Sequence, residues 1–197
     1  MLLFAHAGIT LGTAAVLSLI NDSRKSKNNT AIKQPRPSIS NFFTSLARKI
    51  DLRFLLVGAL LPDIIDKPLG HFFFPNAISN GRIITHTLLV LILLTLVSVI
   101  IYFPSRKTAM LVLSFGVFMH LLLDQMWKLP VTLFWPLLGF SFDKMDISDW
   151  IPQMLRALVS NPAVYIPEVI GTVFLAWFAF EMFRRKQVVT LLTTGRL

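Results

Sequence analysis

The strongest constraint on the fold is the run Ile83–Phe103, which contains LLVLILLTLVSVIIYF and no charged residue. About 20 apolar residues cross a bilayer as a helix. Leu2–Ile20, Thr108–Trp127 and Ala163–Phe183 are apolar runs of similar length. A fifth candidate, Phe54–Phe74, reads as broken: FLLVGALL gives way to PDIIDKPLG and then HFFF. Polar, irregular backbone at membrane depth is tolerated only where it lines a protein cavity. The stretch 131–140, VTLFWPLLGF, is too short to span and reads as re-entrant or interfacial. The expected fold is all-α: a polytopic membrane protein with about five transmembrane helices, the second one broken.

Composition agrees. The 197-residue chain is 54% hydrophobic, and its mean hydropathy of +0.67 is that of a membrane protein. It has no cysteine, which excludes disulfides and thiolate metal sites. The net charge of +9 is clustered. Residues 21–53 are basic, Arg106 and Lys107 follow the third run, and Arg184, Arg185 and Lys186 follow the last, whereas 143–149 is acidic. By the positive-inside rule the basic segments are cytoplasmic and the acidic one is outside. Five crossings with the N-terminus outside and the C-terminus inside satisfy every constraint. The apolar N-terminus is not read as a signal peptide, because its positive charges come after the apolar run. The chain is expected to be one integral-membrane domain, 1–197, of the plasma or inner membrane, with a cytoplasmic loop 21–53 and an extracytoplasmic loop 141–162. NDSRKSKNNT reads as flexible loop, and SISNFFTSLARKI as an amphipathic helix. The basic loop is expected to meet anionic lipid heads. It is not expected to bind nucleic acid, since it lacks interleaved aromatic residues.

Against this background each Asp or His within or at the end of an apolar run stands out. They are His6, Asp63, Asp66, His71, His86, His120 and Asp124. The topology places His6, His86, His120 and Asp124 toward the outer ends of their helices. Asp63 and Asp66 follow about 10 residues of ascent, roughly 15 Å at helical rise. An Asp at the centre of a membrane helix costs about 2.5–3.5 kcal/mol. Such residues pair within the bundle or mark a functional path. A divalent cation is a natural common partner, keeping carboxylates ionised and imidazoles neutral. His120 and Asp124, at i and i+4, share a helix face about 6 Å apart along the axis. Asp63 and Asp66, three apart, share a face or bridge two ions. Each residue alone has a plainer reading: a helix–helix hydrogen bond for His120 and Asp124, a turn for the aspartates, an interfacial position for His6, a place beside a capping Thr85 or Thr87 for His86. Together, six ligand-type residues on four segments fall in one half of the membrane. His71 reads as interfacial and is left out. Arg82 and Lys67 read as snorkelling anchors or as anion-binding groups beside the metal. Glu168 reads as a cap or interface residue.

The motifs FAHAGITLG, GALLPDIIDKPLG, NGRIITHTLL and HLLLDQMWKLP…LFWPLLG, spanning residues 4–140, resemble the YdjM-type membrane-bound metal-dependent hydrolases. That family's pattern is an early His, a PD-x-D-type motif, T-H-[ST] and H-x-x-x-D. It falls here on His6, on Asp63 and Asp66, on His86, and on His120 with Asp124. The chain departs from it in PDIIDK, where many members have PD-x-DH, and in Gly81–Arg82, where many have His-Arg. The resemblance, with a more distant one to zinc-dependent phospholipases C, implies metal-assisted hydrolysis of a phosphoester. The expected cofactor is a divalent metal, zinc first, manganese or iron next. Asp66 is expected as a ligand or general base, with Arg82 or Lys67 holding an amphiphilic, phosphorylated substrate. The alternative is a proton or ion transporter using the broken helix and its acids. A membrane scaffold with polar residues as glue is a third reading.

Overall fold

A computed structural model describes residues 3–28, 50–74, 80–142 and 150–195, without the side chains of 17–28 and 150. All regular structure among the described residues is helical. The elements are α1 (Leu3–Asn28), α2 (Leu52–Pro68) running into a π-helical turn (Leu69–Phe73), α3 (Leu88–Ser105), α4 (Ala109–Leu123), a 3₁₀ turn (Met126–Lys128), the single turn α5 (Pro130–Leu133), α6 (Trp150–Ser160), α7 (Pro162–Arg184) and α8 (Val188–Thr194). Helices α3 and α7 are long and apolar enough to cross a membrane; Leu3–Val16 and α4 are shorter apolar helices.

Two helix pairs carry the architecture, and glycine makes both. In the first, α1 lies along α7: a Cβ on Gly8 would strike the Gly171 carbonyl, and one on Gly171 would strike the Phe4 carbonyl. In the second, α2 lies along α4: a Cβ on Gly58 would strike the Leu113 carbonyl, and one on Gly116 would meet Leu55 and Ala59. Small residues let backbones approach this closely where the hydrophobic effect gives no drive between helices in lipid. Gly8 meets Gly171 and Gly12 meets Phe174, so α1 and α7 run the same way. Leu55 meets Gly116 and Asp63 nears His120, so α2 and α4 run together. Ala15 beside Leu52, with His6 beside His120, sets the two pairs in opposite directions. Helix α3 runs against α4, joined by a Ser98–Ser114 hydroxyl contact of 2.8 Å. An apolar core of Leu11, Ala14, Ala15, Leu52, Leu55, Val112, Phe178 and Met182 gathers at one end of the bundle. The polar residues singled out above lie toward the opposite end.

Two expectations need correction. First, α2 is not broken at Pro62: it continues to Pro68. Proline removes one backbone hydrogen bond but keeps helical φ, and neighbouring helices can absorb the loss. The polar PDIIDK sequence is accommodated because both aspartates find partners. Second, NDSRKSKN is not loop: it is the last two turns of α1. The region 141–162, expected as an extracytoplasmic loop, contains the helix α6. Residues 131–140 form part of α5 and a chain of turns, with Leu137 and Phe140 exposed. The amphipathic helix expected over 38–50 and the acidic 143–149 lie outside the described residues, apart from Ile50.

At the apolar-core end, α8 latches onto the start of α2. Asp51 caps α2, its Oδ1 accepting from the Arg53 N–H at 3.0 Å. The Arg53 guanidinium donates back to both Asp51 oxygens, at 3.1 and 2.8 Å, and to the Leu192 and Thr193 carbonyls of α8. Gly195, at φ +72°, ends α8 in the left-handed region, and its carbonyl accepts from Leu52 N–H at 2.9 Å. Burial alone would raise the Asp51 pKa, but the Arg53 side chain and the Arg53 and Phe54 amides outweigh it and hold the carboxyl below its ordinary value. A depressed carboxylate pKa stabilises the fold above the unfolded-state value of about 3.9 and ceases to do so as pH falls through the folded value. Asp51→Ala should therefore lower stability by about 1 kcal/mol near neutrality. The deficit should shrink below about pH 4, as thermal denaturation of the two detergent-solubilised proteins across pH will show.

Candidate metal centre

His6, His86 and His120 are fully buried. They come from α1, the turn before α3, and α4, and they face one another. The His6 and His120 rings stack with centroids 4.1 Å apart. His86 meets His120 edge-on at 5.1 Å. Two aspartates complete the group: His6 Nε2 lies 3.2 Å from Asp124 Oδ1, while Asp63 Oδ1 lies 3.7 Å from His86 Nε2 and 3.8 Å from His120 Nε2. Two overlapping triads result, His6–His120–Asp124 and Asp63–His86–His120, each with its ligand atoms within 4.8 Å of one another.

The outward hydrogen bonds of the rings fix their tautomers. His120 Nδ1 lies 2.7 Å from the Ala59 carbonyl oxygen. A carbonyl only accepts, so Nδ1 carries the proton. His86 Nδ1 lies 2.7 Å from Asp66 Oδ2. That oxygen also accepts from the Ile83 and His86 amides and shares the Thr85 amide with Oδ1, so it too acts as an acceptor and His86 Nδ1 is the donor. In the neutral rings both Nε2 atoms are then bare lone pairs, and they stand 3.2 Å apart. Nothing between them can hydrogen-bond. Two imidazole lone pairs and Asp63 Oδ1 thus converge with no proton between them, an arrangement that a cation relieves. The spacing suits one: ligands about 2.1 Å from a tetrahedral zinc stand about 3.4 Å apart.

Of the six ligands expected from the sequence, His6, Asp63, His86, His120 and Asp124 are the members of the two triads. Asp66 is not. It is fully buried on the far side of His86 and serves as acceptor for three backbone amides and the His86 ring. One consequence is the shape of the segment 80–87, which wraps over that carboxylate. Thr85 and Thr87 then have separate duties: Thr85 Oγ1 donates to the Pro62 carbonyl, and Thr87 caps α3 at Val90 N–H. Gly70 admits this segment, since a Cβ there would strike the Asn80 carbonyl.

Two cations edge the group. Lys67 Nζ donates to Asp63 Oδ2 at 2.6 Å, and Arg82 Nε to Asp124 Oδ2 at 2.6 Å. Each carboxylate therefore turns Oδ1 to an imidazole and holds a cation on Oδ2. Lys67 and Arg82 are about one-third exposed, unlike the rings. His71 stands outside the group, as expected, with its Nε2 near Gly81. The Lys67–Asp63 pair has the local i, i+4 spacing, though Lys67 was not expected as the partner of Asp63; the Arg82–Asp124 pair, 42 residues apart, carried no local signal.

No curated protein and no solved structure matches this chain. A family model, that of the YdjM inner membrane protein, does match, over residues 1–194. That span contains every described helix and the whole His/Asp group, and the chain therefore belongs to the YdjM inner membrane protein family.

Proposed function

We propose that this protein is a membrane-embedded, metal-dependent hydrolase of an anionic, lipid-like phosphoester. The observation that carries the proposal is the pair of bare Nε2 atoms 3.2 Å apart among carboxylate oxygens. His120, common to both triads, would hold the ion with partners drawn from His6, Asp63, His86 and Asp124. His120 has only Nε2 to give, since Nδ1 is engaged by Ala59, and one imidazole lone pair ligates one ion. The two triads share that atom, which favours a single ion. Mixed imidazole and carboxylate ligands favour zinc, ahead of manganese or iron. When bound, such an ion supplies Lewis-acid polarisation of a phosphoryl oxygen and acidifies a water.

The remaining roles belong to the chain. Asp66 orients His86 and fixes its tautomer, the usual task of a carboxylate behind a ligating histidine. With its oxygens saturated by donors it is not suited to be the general base. Arg82 uses Nε on Asp124, and among the described residues nothing else bonds its guanidinium. Its remaining N–H groups, with Lys67, would hold the substrate's phosphoryl oxygens. The continuous α2 supports this reading over a transporter, which leaned on a break there.

The alternating directions of α1, α2, α3, α4 and α7 support five crossings, with the N-terminus and the metal group at the outer side and the basic ends inside. A single cysteine placed at 143–149 should react with an impermeant thiol reagent added from outside; labelling from the cytoplasmic face alone would overturn this orientation.

Purified wild type should contain about one equivalent of transition metal by elemental analysis. His120→Ala and Asp124→Ala should lose it, and Asp66→Asn should bind it about 10–100-fold more weakly. Wild type without stoichiometric metal would defeat the hydrolase proposal. On a long-chain p-nitrophenyl phosphodiester, Arg82→Ala should raise KM about tenfold or more, the loss of a charge-assisted hydrogen bond, with metal content retained. Unchanged KM would remove Arg82 from substrate binding.

A further inference from the structure

A cavity of about 570 Å³ opens between the first turn of α1, α6 and the outer half of α7. It shares no residue with the His/Asp group. Leu3, Phe4, Leu158, Tyr165, Val169 and Val173 line it, with Glu168 and Thr172 as its polar members. The volume is in the range of small-molecule sites, roughly 300–1,000 Å³. Phe4, Val169 and Val173 are each more than half exposed, so in a membrane the groove faces lipid.

Glu168 is the anomaly. It is only 5% exposed, six residues into a helix apolar enough to span. Its Oε2 accepts from Ala5 N–H at 3.3 Å, capping the start of α1. Its Oε1 is buried without any hydrogen-bond partner, and no cation among the described residues pairs with it. A buried acceptor left unsatisfied costs about 1–3 kcal/mol. An acid in a membrane helix is expected to have a partner or a task. Cap duty needs one oxygen, and Asn or Ser caps as well without the second.

We propose that this groove binds a membrane lipid whose head group carries a primary ammonium. The N–H donors meet Glu168 Oε1, and an acyl chain lies along Val169 and Val173 toward the bilayer interior. A carboxylate that no cation among the described residues pairs with selects a cationic donor. The single acid stands nearer the helix start than the two valines, which is the order of head and tail in one leaflet. The groove's lining is otherwise apolar, as a hydrocarbon chain requires.

Phosphatidylethanolamine and phosphatidylcholine carrying the same acyl-chain diazirine make the test, because only the first has N–H donors. The protein is reconstituted into phosphatidylcholine vesicles with a trace of either probe, irradiated, and the adducts mapped by mass spectrometry. The ethanolamine probe should label Phe4 and residues 165–173 about fivefold more than the choline probe, the worth of one net hydrogen bond. Glu168→Gln, whose carbonyl still caps Ala5 while its amide offers only donors at the second position, should abolish the preference. Val173→Trp, which fills the groove, should remove labelling by both probes there while leaving it elsewhere on the lipid-facing surface. Equal labelling by the two probes in wild type, or a preference that survives Glu168→Gln, would overturn the proposal. Both variants must melt within a few degrees of wild type in detergent. If Glu168→Gln does not, the comparison of the two probes on wild type decides alone.

Discussion

The contact on which the site depends is the hydrogen bond from His120 Nδ1 to the Ala59 carbonyl. It is possible only because α2 and α4 touch backbone to backbone, with Gly58 against Leu113 and Gly116 against Leu55 and Ala59. A side chain at either glycine would separate the helices, and the His120 ring would lose the acceptor that fixes its tautomer. The bare Nε2 facing His86, Asp63 and Asp124 follows from that one bond. Packing of small residues, a property of the helix interface, thus sets the protonation pattern of the polar group about one turn along it. The Gly8–Gly171 approach has the same effect on the other side, pressing α1 onto α7 at the level of His6 and Glu168.

Asp66 organises the second layer. Without it the segment 80–87 would have three amides to satisfy at the edge of an apolar bundle, each a costly group to leave unpaired. With it, one buried carboxylate orders the loop, positions His86 and leaves Thr87 free to start α3. A single side chain thereby couples the helix that carries Asp63 to the turn that carries His86. Charge balance follows a similar economy. Lys67 and Arg82 each compensate a carboxylate through Oδ2 without occupying the oxygen that faces the rings.

The polar members of the site were legible in the sequence because the surroundings are so uniformly apolar. His6, Asp63, His86, His120 and Asp124 are conspicuous by contrast, and their alignment at one end follows from helix lengths and the placement of basic residues. Three things were not legible. The role of Asp66 depends on backbone amides of a segment 17–20 residues away, and sequence spacing has no term for that. The continuity of α2 through Pro62 depends on neighbours that accept its polar face, so the local breaker signals of PDIIDKPLG pointed the wrong way. The close glycine contacts, finally, look in the sequence like any other small residues in apolar helices; only the paired positions on two helices reveal them.

Glu168 shows the limit of reading polar residues in membranes one at a time. From the sequence it is an isolated acid near a helix start, and capping is a sufficient account. In three dimensions the cap uses Oε2 alone and a groove of apolar side chains lies beside the rest of the residue. The same logic that assigns the histidines applies here with opposite sign. Convergent lone pairs without a proton call for a cation shared among several protein ligands. A solitary lone pair beside an apolar groove calls for a donor that brings its own hydrocarbon. Both follow from the membrane's inability to hydrate what the protein leaves unsatisfied, and the difference between a metal centre and a lipid site lies in how many acceptors the helices bring together.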